Sequence, residues 1–164
     1  MNKYIYSLIW LLFIAGVVWL IVTPGKHGKF VPYDEKTSRE VALICTTDMA
    51  TKFHIHPVLK IIIAGVEQKI PANIGITGLC MNSIHTHDDS GTLHIESPVQ
   101  KDFMLGDFFA VWGKEFSQNQ ILDYKIDNTH AIVVTVNSKS VDTYENTVMK
   151  DKDDIVIEYK EAKK

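Results

Sequence analysis

An almost unbroken apolar run occupies residues 4–22 and is interrupted only by Ser7. Wound as an α-helix, it would reach about 28 Å, close to the hydrocarbon thickness of a bilayer, and Pro24-Gly25 would then end it. A buried core helix is a poor alternative because no face of the run is polar. The run is also longer than the apolar core of a cleaved signal peptide, and small residues at a cut site are missing. The sequence therefore predicts an uncleaved transmembrane anchor over residues 1–25.

The basic residues around this run give conflicting signals about orientation. Lys3 precedes the run, whereas Lys26, Lys29, Lys36 and Arg39 come after it. A literal positive-inside count would place the large domain in the cytoplasm. A short tail before one apolar run is, however, the layout of an N-terminal signal anchor, which exports the rest of the chain. We therefore expect a single-pass protein of the cell membrane with an extracytoplasmic C-terminal domain.

Composition sets the class of the remaining chain. Of the 164 residues, 46% are hydrophobic and 23% are charged, a balance typical of a packed globular domain. We expect a juxtamembrane linker at 26–39, one domain at 40–160 and a polar tail at 161–164. The formal net charge is −3, and only one of the 17 basic residues is arginine. This argues against nucleic acid as a partner.

Short β-branched and aliphatic runs bounded by turn residues dominate the domain. They predict strands at Val58–Ile63, Val66–Ile70, Thr92–Glu96, Ala131–Val136 and Asp154–Tyr159.

One main helix is predicted over Met104–Phe116, where large apolar residues recur at helical spacing. We accordingly expect an α+β fold in which this helix covers one face of a sheet. The segment Ile132–Tyr159 is similar to the second half of a β-grasp domain, so the C-terminal half is expected to be β-grasp-like.

Five histidines lie within 41 positions, and four of them form two His-x-His pairs. They are His54, His56, His85, His87 and His94. Residues two apart on a strand project to the same side, so the two imidazoles of each pair can bind one ion. A turn after His87 would fold His94 back toward that pair. Imidazoles with a nearby carboxylate suit copper or zinc and suit Ca²⁺ or Mg²⁺ poorly, so these histidines are the predicted metal ligands.

Several roles near the histidines stay open. Asp88 and Glu96 are alternative ligands, but Asp88 can instead cap a turn and Glu96 can orient an imidazole without touching the ion. Three protein ligands with an open position would make a catalytic site and four a structural one. The histidines can also be hydrogen-bonded structural residues. The spacing matches no His-Glu-x-x-His helix, Gly-x-Ser-x-Gly elbow or phosphate-binding glycine loop.

Two cysteines, Cys45 and Cys80, complete the chemistry-bearing residues. Outside the cytoplasm they would form a disulfide that ties the strand near Ile44 to the segment before the histidines. Alternatively, Cys80 is a thiolate ligand of the same metal. Since the chain has no Cys-x-x-Cys sequence, thioredoxin-like redox work is not expected.

A longer pattern surrounds the second histidine pair. The string His85-Thr-His-Asp-Asp-Ser-Gly-Thr-Leu-His-Ile-Glu-Ser-Pro98 is followed by Phe103-Met-Leu-Gly-Asp-Phe-Phe-Ala-Val-Trp-Gly113. Together with Ile70-Pro-Ala-Asn-Ile-Gly75 and the first histidine pair, it resembles a family of bacterial and archaeal proteins that are often secreted or membrane anchored. The resemblance spans residues 53–113 and implies an extracytoplasmic domain. It implies no reaction, because the family has no established activity.

Two classes of function are consistent with these patterns. The first is a membrane-anchored extracytoplasmic domain that binds copper or zinc and handles that metal. An open coordination position would add hydrolytic or redox chemistry, so the pattern leaves enzyme activity undecided. The second is a non-catalytic interaction module or accessory subunit of a larger membrane protein complex, in which the histidine segment is a hydrogen-bonded turn.

Overall fold

Strands make up most of the regular structure in the computed structural model of the protein, which describes residues 31–47 and 51–162. Within these residues there are two short α-helices, α1 Ser38–Ala42 and α2 Leu105–Trp112, and two 3₁₀ turns, Tyr33–Glu35 and Tyr144–Asn146. The strands in chain order are β1 Cys45–Thr46, β2 Phe53–Ile55, β3 Val58–Ile63, β4 Val66–Gln68, β5 Ile76–Thr77, β6 Cys80–Asn82, β7 Ile84–His85, β8 His94–Ser97, β9 Phe116–Ser117, β10 Gln120–Ile121, β11 Tyr124–Lys125, β12 His130–Val136, β13 Lys139–Val141 and β14 Asp154–Glu161.

The largest sheet has five strands in the order β13-β12-β14-β3-β4. Its neighbouring strands are antiparallel except for β14 and β3, which run parallel. The register of that parallel pair sets Ile155 beside Leu59 and Ile157 beside Ile61. All four side chains are buried, so the period-two pattern of each strand places its apolar residues in one shared core.

The three other sheets have three strands each and are small. Their orders are β1-β6-β5, β11-β10-β9 and β2-β8-β7. A disulfide joins Cys45 on β1 to Cys80 on β6, which are 35 positions apart in the sequence. This confirms the predicted disulfide and the predicted link between the strand near Ile44 and the segment before the second histidine pair.

The predicted α+β class is wrong. In the described part of the chain the structure is mostly β, and its helices have only five and eight residues. The helix predicted to reach Phe116 ends at Trp112, because Gly113 comes next in the left-handed conformation. Phe116 then lies in β9, yet its ring is 4.7 Å from that of Phe109. It therefore has a helix-like spacing without belonging to the helix.

The prediction of a β-grasp-like C-terminal half is also wrong, because this half does not form a separate unit. Strands β12, β13 and β14 do not make a sheet of their own, since β14 pairs with β3 from the first half of the domain. A parallel partner so distant in the chain leaves no local signal in the sequence.

No helix in residues 31–47 and 51–162 is long and apolar enough to cross a membrane. The anchor predicted at residues 1–25 lies outside the described residues, as does His27 in the predicted linker.

The turn before β8 packs directly on β3. The amide of Leu59 donates to the carbonyl of Gly91, and the amide of Leu93 donates to the carbonyl of Pro57. Gly91 has a φ of +83°, and a Cβ atom there would lie 2.3 Å from the carbonyl oxygen of Leu59. Only glycine fits this approach, which fixes where β8 begins relative to the large sheet.

Gly91→Ala should therefore destabilise the fold much more than Gly65→Ala. Both glycines have a positive φ, but a Cβ at Gly65 would meet nothing within 4 Å. We expect a loss of about 1 kcal/mol for Gly65→Ala from the left-handed backbone alone. For Gly91→Ala we expect about 2 kcal/mol more, because the backbones of β3 and the turn must separate. Denaturant unfolding of both variants measures the difference, and equal losses would contradict this account.

Candidate metal centre

The register of the sheet β2-β8-β7 places four predicted site residues on one face. His54 lies opposite Glu96, and His85 lies opposite His94. His94 and Glu96 are two apart on the central strand and so share a side. The residues that alternate with them point to the other side and are buried: Ile55, Ile84 and Ile95. The same alternation that builds the core therefore collects the polar residues on the opposite face.

His56 and His87 extend this arrangement just beyond the strand ends. The ring of His94 lies between theirs, with centroid distances of 4.7 Å to His56 and 4.5 Å to His87. Within each His-x-His pair the centroids are 4.4 Å apart for His54 and His56 and 4.8 Å apart for His85 and His87. We call the set of six residues the histidine face: His54, His56, His85, His87, His94 and Glu96.

Glu96 lies between the two outer strands. Its Oε1 atom is 3.2 Å from Nε2 of His54 and 3.9 Å from Nε2 of His85. The carboxylate side chain is 19% exposed. Glu96 is therefore the acidic group that faces both histidine pairs.

His85 is fully buried, and one of its ring nitrogens makes no hydrogen bond within the described part of the chain. Its Nδ1 atom is 3.0 Å from the carbonyl oxygen of Asn82. Since a carbonyl only accepts, Nδ1 carries the proton and Nε2 keeps its lone pair. Nε2 is buried and has no hydrogen-bond partner among the described residues. A buried lone pair aimed into a group of other ligands is the form in which histidine binds a metal ion.

Burial favours the neutral form of two of these histidines, His85 and His94. Burial lowers the pKa of His85 below its usual value. Burial also lowers the pKa of His94, and the neighbouring His87 and His56 lower it further. Because only neutral imidazole ligates metal, both rings are in the competent state at neutral pH.

Among residues 31–47 and 51–162, the potential ligand atoms fall into two groups that share one residue. His85, His87, His94 and Glu96 form the first group, and His54, His56 and His94 form the second. Within each group the atoms lie within 4.8 Å of one another. Ligands around a tetrahedral ion with bonds near 2.0 Å lie about 3.3 Å apart, so small side-chain rotations would close either group on an ion.

Thr86 holds the second pair in place from behind. Its hydroxyl donates to the carbonyl of Pro71 at 2.8 Å and accepts from the amide of Ile74 at 3.0 Å. Its backbone also bonds to Asn73 and Ile74. Thr86 itself is fully buried, so its hydrogen bonds fix the directions in which His85 and His87 project.

The disulfide supports the second histidine pair indirectly, through strand β6. β6 begins at Cys80 and ends at Asn82, whose carbonyl holds the ring of His85. The side-chain amide of Asn82 donates to the carbonyl of Ala42 at the end of α1. Because its sulfur is bonded to Cys45, Cys80 is not a thiolate, and its alternative role as a ligand is wrong.

Asp88 stays outside both ligand groups. It is exposed, and its Oδ1 atom accepts from the amide of Ser90 at 2.9 Å. Hydrogen bonds from Ser90 lower the pKa of this carboxyl. Asp88 thus caps the turn that leads into β8. Of the two roles predicted for it, ligand and turn cap, this is the one that the hydrogen bond supports.

Sequence patterns did not identify three contacts that support the face. These are the carbonyl of Asn82 on His85, the buried hydroxyl of Thr86, and Asp151, whose Oδ1 atom accepts from the amide of His56 at 3.0 Å. A signal existed only for Thr86, since the middle residue of a His-x-His strand must face the core. The contact of Asn82 comes from a backbone carbonyl and that of Asp151 from a residue distant in the sequence, so neither leaves a local signal.

No protein-family model, no curated protein and no solved structure matches this chain. The resemblance carried by residues 53–113 therefore stays a prediction.

Thr86→Val should destabilise the protein by about 1–3 kcal/mol, because the methyl group keeps the shape but leaves the buried amide of Ile74 without its acceptor. Thr135→Val, on the outer side of β12, is the matched control and should change stability by less than about 0.5 kcal/mol. Denaturant unfolding measures both. A Thr86→Val variant as stable as the wild type would show that the hydroxyl does not hold this segment.

Proposed function

We propose that this protein binds a transition metal, copper or zinc, on the histidine face and handles that metal in an oxidising, extracytoplasmic compartment. The observation that carries the proposal is the buried Nε2 atom of His85, which has no hydrogen-bond partner among the described residues. Leaving a buried polar group unpaired costs about 1–3 kcal/mol. A metal ion bound there would supply the missing partner.

The composition of the face favours a transition metal. Five imidazoles and one carboxylate are suited to copper and zinc, whereas Ca²⁺ and Mg²⁺ prefer sites made entirely of oxygen. Copper(II) binds most tightly to such nitrogen donors in the usual order of divalent ions. Because no thiolate is available, the soft sulfur sites typical of copper(I) are a weaker match.

Exposure favours exchange of the ion over permanent burial. His85 is fully buried and the side chain of Glu96 is largely covered, but His87 is exposed and the side chain of His54 is 47% exposed. An ion could therefore enter from the solvent side and be bound by His85 and Glu96 on the covered side. This asymmetry supports metal handling or delivery more than a closed structural site.

The disulfide supports the proposed compartment. Disulfides persist in oxidising surroundings and are rare where thiols are kept reduced. The bond between Cys45 and Cys80 therefore favours a location outside the cytoplasm.

A second candidate function is a structural or interaction module. The observation that favours it is the dense hydrogen bonding of the segment 86–90, in which the side chains of Thr86 and Asp88 are both engaged. In that case the histidines pack the face and stoichiometric metal is absent. The two candidates differ in one measurable quantity, the metal content of the purified chain.

Metal content should fall when His87 and His94 are replaced. We expect the full-length chain without an affinity tag, dialysed against a weak chelator, to retain copper or zinc. The double variant His87→Ala/His94→Ala should lose most of it, since the first group loses two ligands and the second loses one. Neither ring is fully buried, so the variant should still fold, which circular dichroism checks.

His130→Ala is the matched control for that experiment. His130 contacts Asp127 and stacks on Tyr159, away from the histidine face, so its loss should leave metal content unchanged. A metal-free wild type, or a double variant with unchanged metal, would contradict the proposal and favour the structural module.

Metal should also stabilise the fold. A ligand present at about 100 times its Kd adds about 2.7 kcal/mol, which corresponds to a rise in Tm of roughly 5–15 °C for a domain of this size. Adding zinc or copper to the chelator-treated chain should produce this rise in a thermal scan. The His87→Ala/His94→Ala variant should show little change, and an equal rise in both proteins would indicate adventitious binding.

A further inference from the structure

We propose that the histidine face holds two transition-metal ions side by side, bridged by the Glu96 carboxylate and with His94 between them. This inference rests on the proposed function and goes beyond it in stoichiometry and in the kind of centre. It is based on the number of donors, their distribution over three strands and the position of Glu96.

The face offers more donors than one ion needs. Copper and zinc sites in proteins usually take three or four protein ligands. The histidine face contains five imidazoles and one carboxylate, and among the described residues the ligand atoms form two groups instead of one. A single tetrahedral ion in the first group would leave His54 and His56 without a role.

The three strands separate the donors into two positions. His54 and His56 belong to the β2 side, and His85 and His87 belong to the β7 side. Neighbouring strands lie about 4.8 Å apart, so the outer strands are about 10 Å from each other. One ion above the gap between β2 and β8, and another above the gap between β8 and β7, would be about one strand spacing apart. That spacing is about 1 Å longer than the separation of roughly 3.5–4 Å in two-metal sites.

The central strand supplies the two residues that face both positions. His94 belongs to both ligand groups. Glu96 directs one oxygen toward both His54 and His85, at 3.2 Å and 3.9 Å from their Nε2 atoms. A carboxylate has two oxygens and can bind one ion with each. A neutral imidazole has one lone pair, so His94, which has neighbouring rings on both sides, binds one of the two ions and Glu96 bridges them.

The buried and exposed halves differ in accessibility. The first group includes the fully buried His85, whereas the second group is made of exposed or half-buried rings. We therefore expect the ion on the β7 side to bind more tightly, and the ion on the β2 side to be the one that exchanges with solvent. A handling function would use the second position for exchange and the first for retention.

Copper(II) titration of the full-length, untagged chain tests this inference. The wild type should retain two copper ions per chain after desalting, and the His54→Ala/His56→Ala variant should retain one. Both replaced rings lie at the solvent side, so the variant keeps the buried half of the site. His130→Ala should retain two, which controls for copper bound by histidines elsewhere.

Electron paramagnetic resonance gives an independent readout. Two copper(II) ions that share a ligand couple magnetically, so the wild type should give a spin count well below its copper content. In His54→Ala/His56→Ala the spin count should equal the copper content.

The outcomes separate the two proposals. One copper per chain in the saturated wild type would overturn the two-ion centre and leave the proposed function in place. A wild type that binds no copper or zinc would overturn both. Two coppers with a full spin count would overturn the bridging role of Glu96, and two coppers in His54→Ala/His56→Ala would overturn the assignment of the second position.

Discussion

The pairing of β8 with β2 on one side and β7 on the other is the constraint on which the candidate site depends. Side chains alternate along each strand, so the pairing that buries Ile95 between Ile55 and Ile84 also places His94 and Glu96 beside His85 and His54. A shift of one residue in this register would expose the isoleucines and bury the imidazoles. The free energy of the hydrophobic core therefore holds the side chains of the histidine face in register.

Several contacts behind the histidine face support it. The glycine turn packed on β3 fixes the start of β8, because its backbone approaches too closely for any side chain. Thr86 and the carbonyl of Asn82 orient the second histidine pair, and the disulfide holds the strand that ends at Asn82. Support is therefore concentrated behind His85. On the solvent side, His54 and His87 are exposed, which is the asymmetry that the proposed two-ion site requires.

Part of the fold and of the site could be predicted from local patterns. Strand β3 has the predicted bounds, and β12 and β14 lie within one or two residues of theirs, because their alternating apolar residues signal a half-buried strand. The turn after His87 and the pairing of His85 with His94 are consistent with turn residues between two short runs. The α+β class failed because helical spacing alone cannot distinguish Phe116 in a separate strand from one more turn of helix.

The sequence by itself determined which residues carry chemistry: two His-x-His pairs, a fifth histidine one turn away, a nearby glutamate and two cysteines. Only the tertiary structure decided that the histidines and the glutamate belong to one face. His54 and Glu96 are distant in sequence, and nothing local predicts that β2 adds to the far edge of β8. Strand partners are chosen by the burial of whole apolar faces, a property of the assembled core. That choice joins two separate pairs into a single array of six potential ligands.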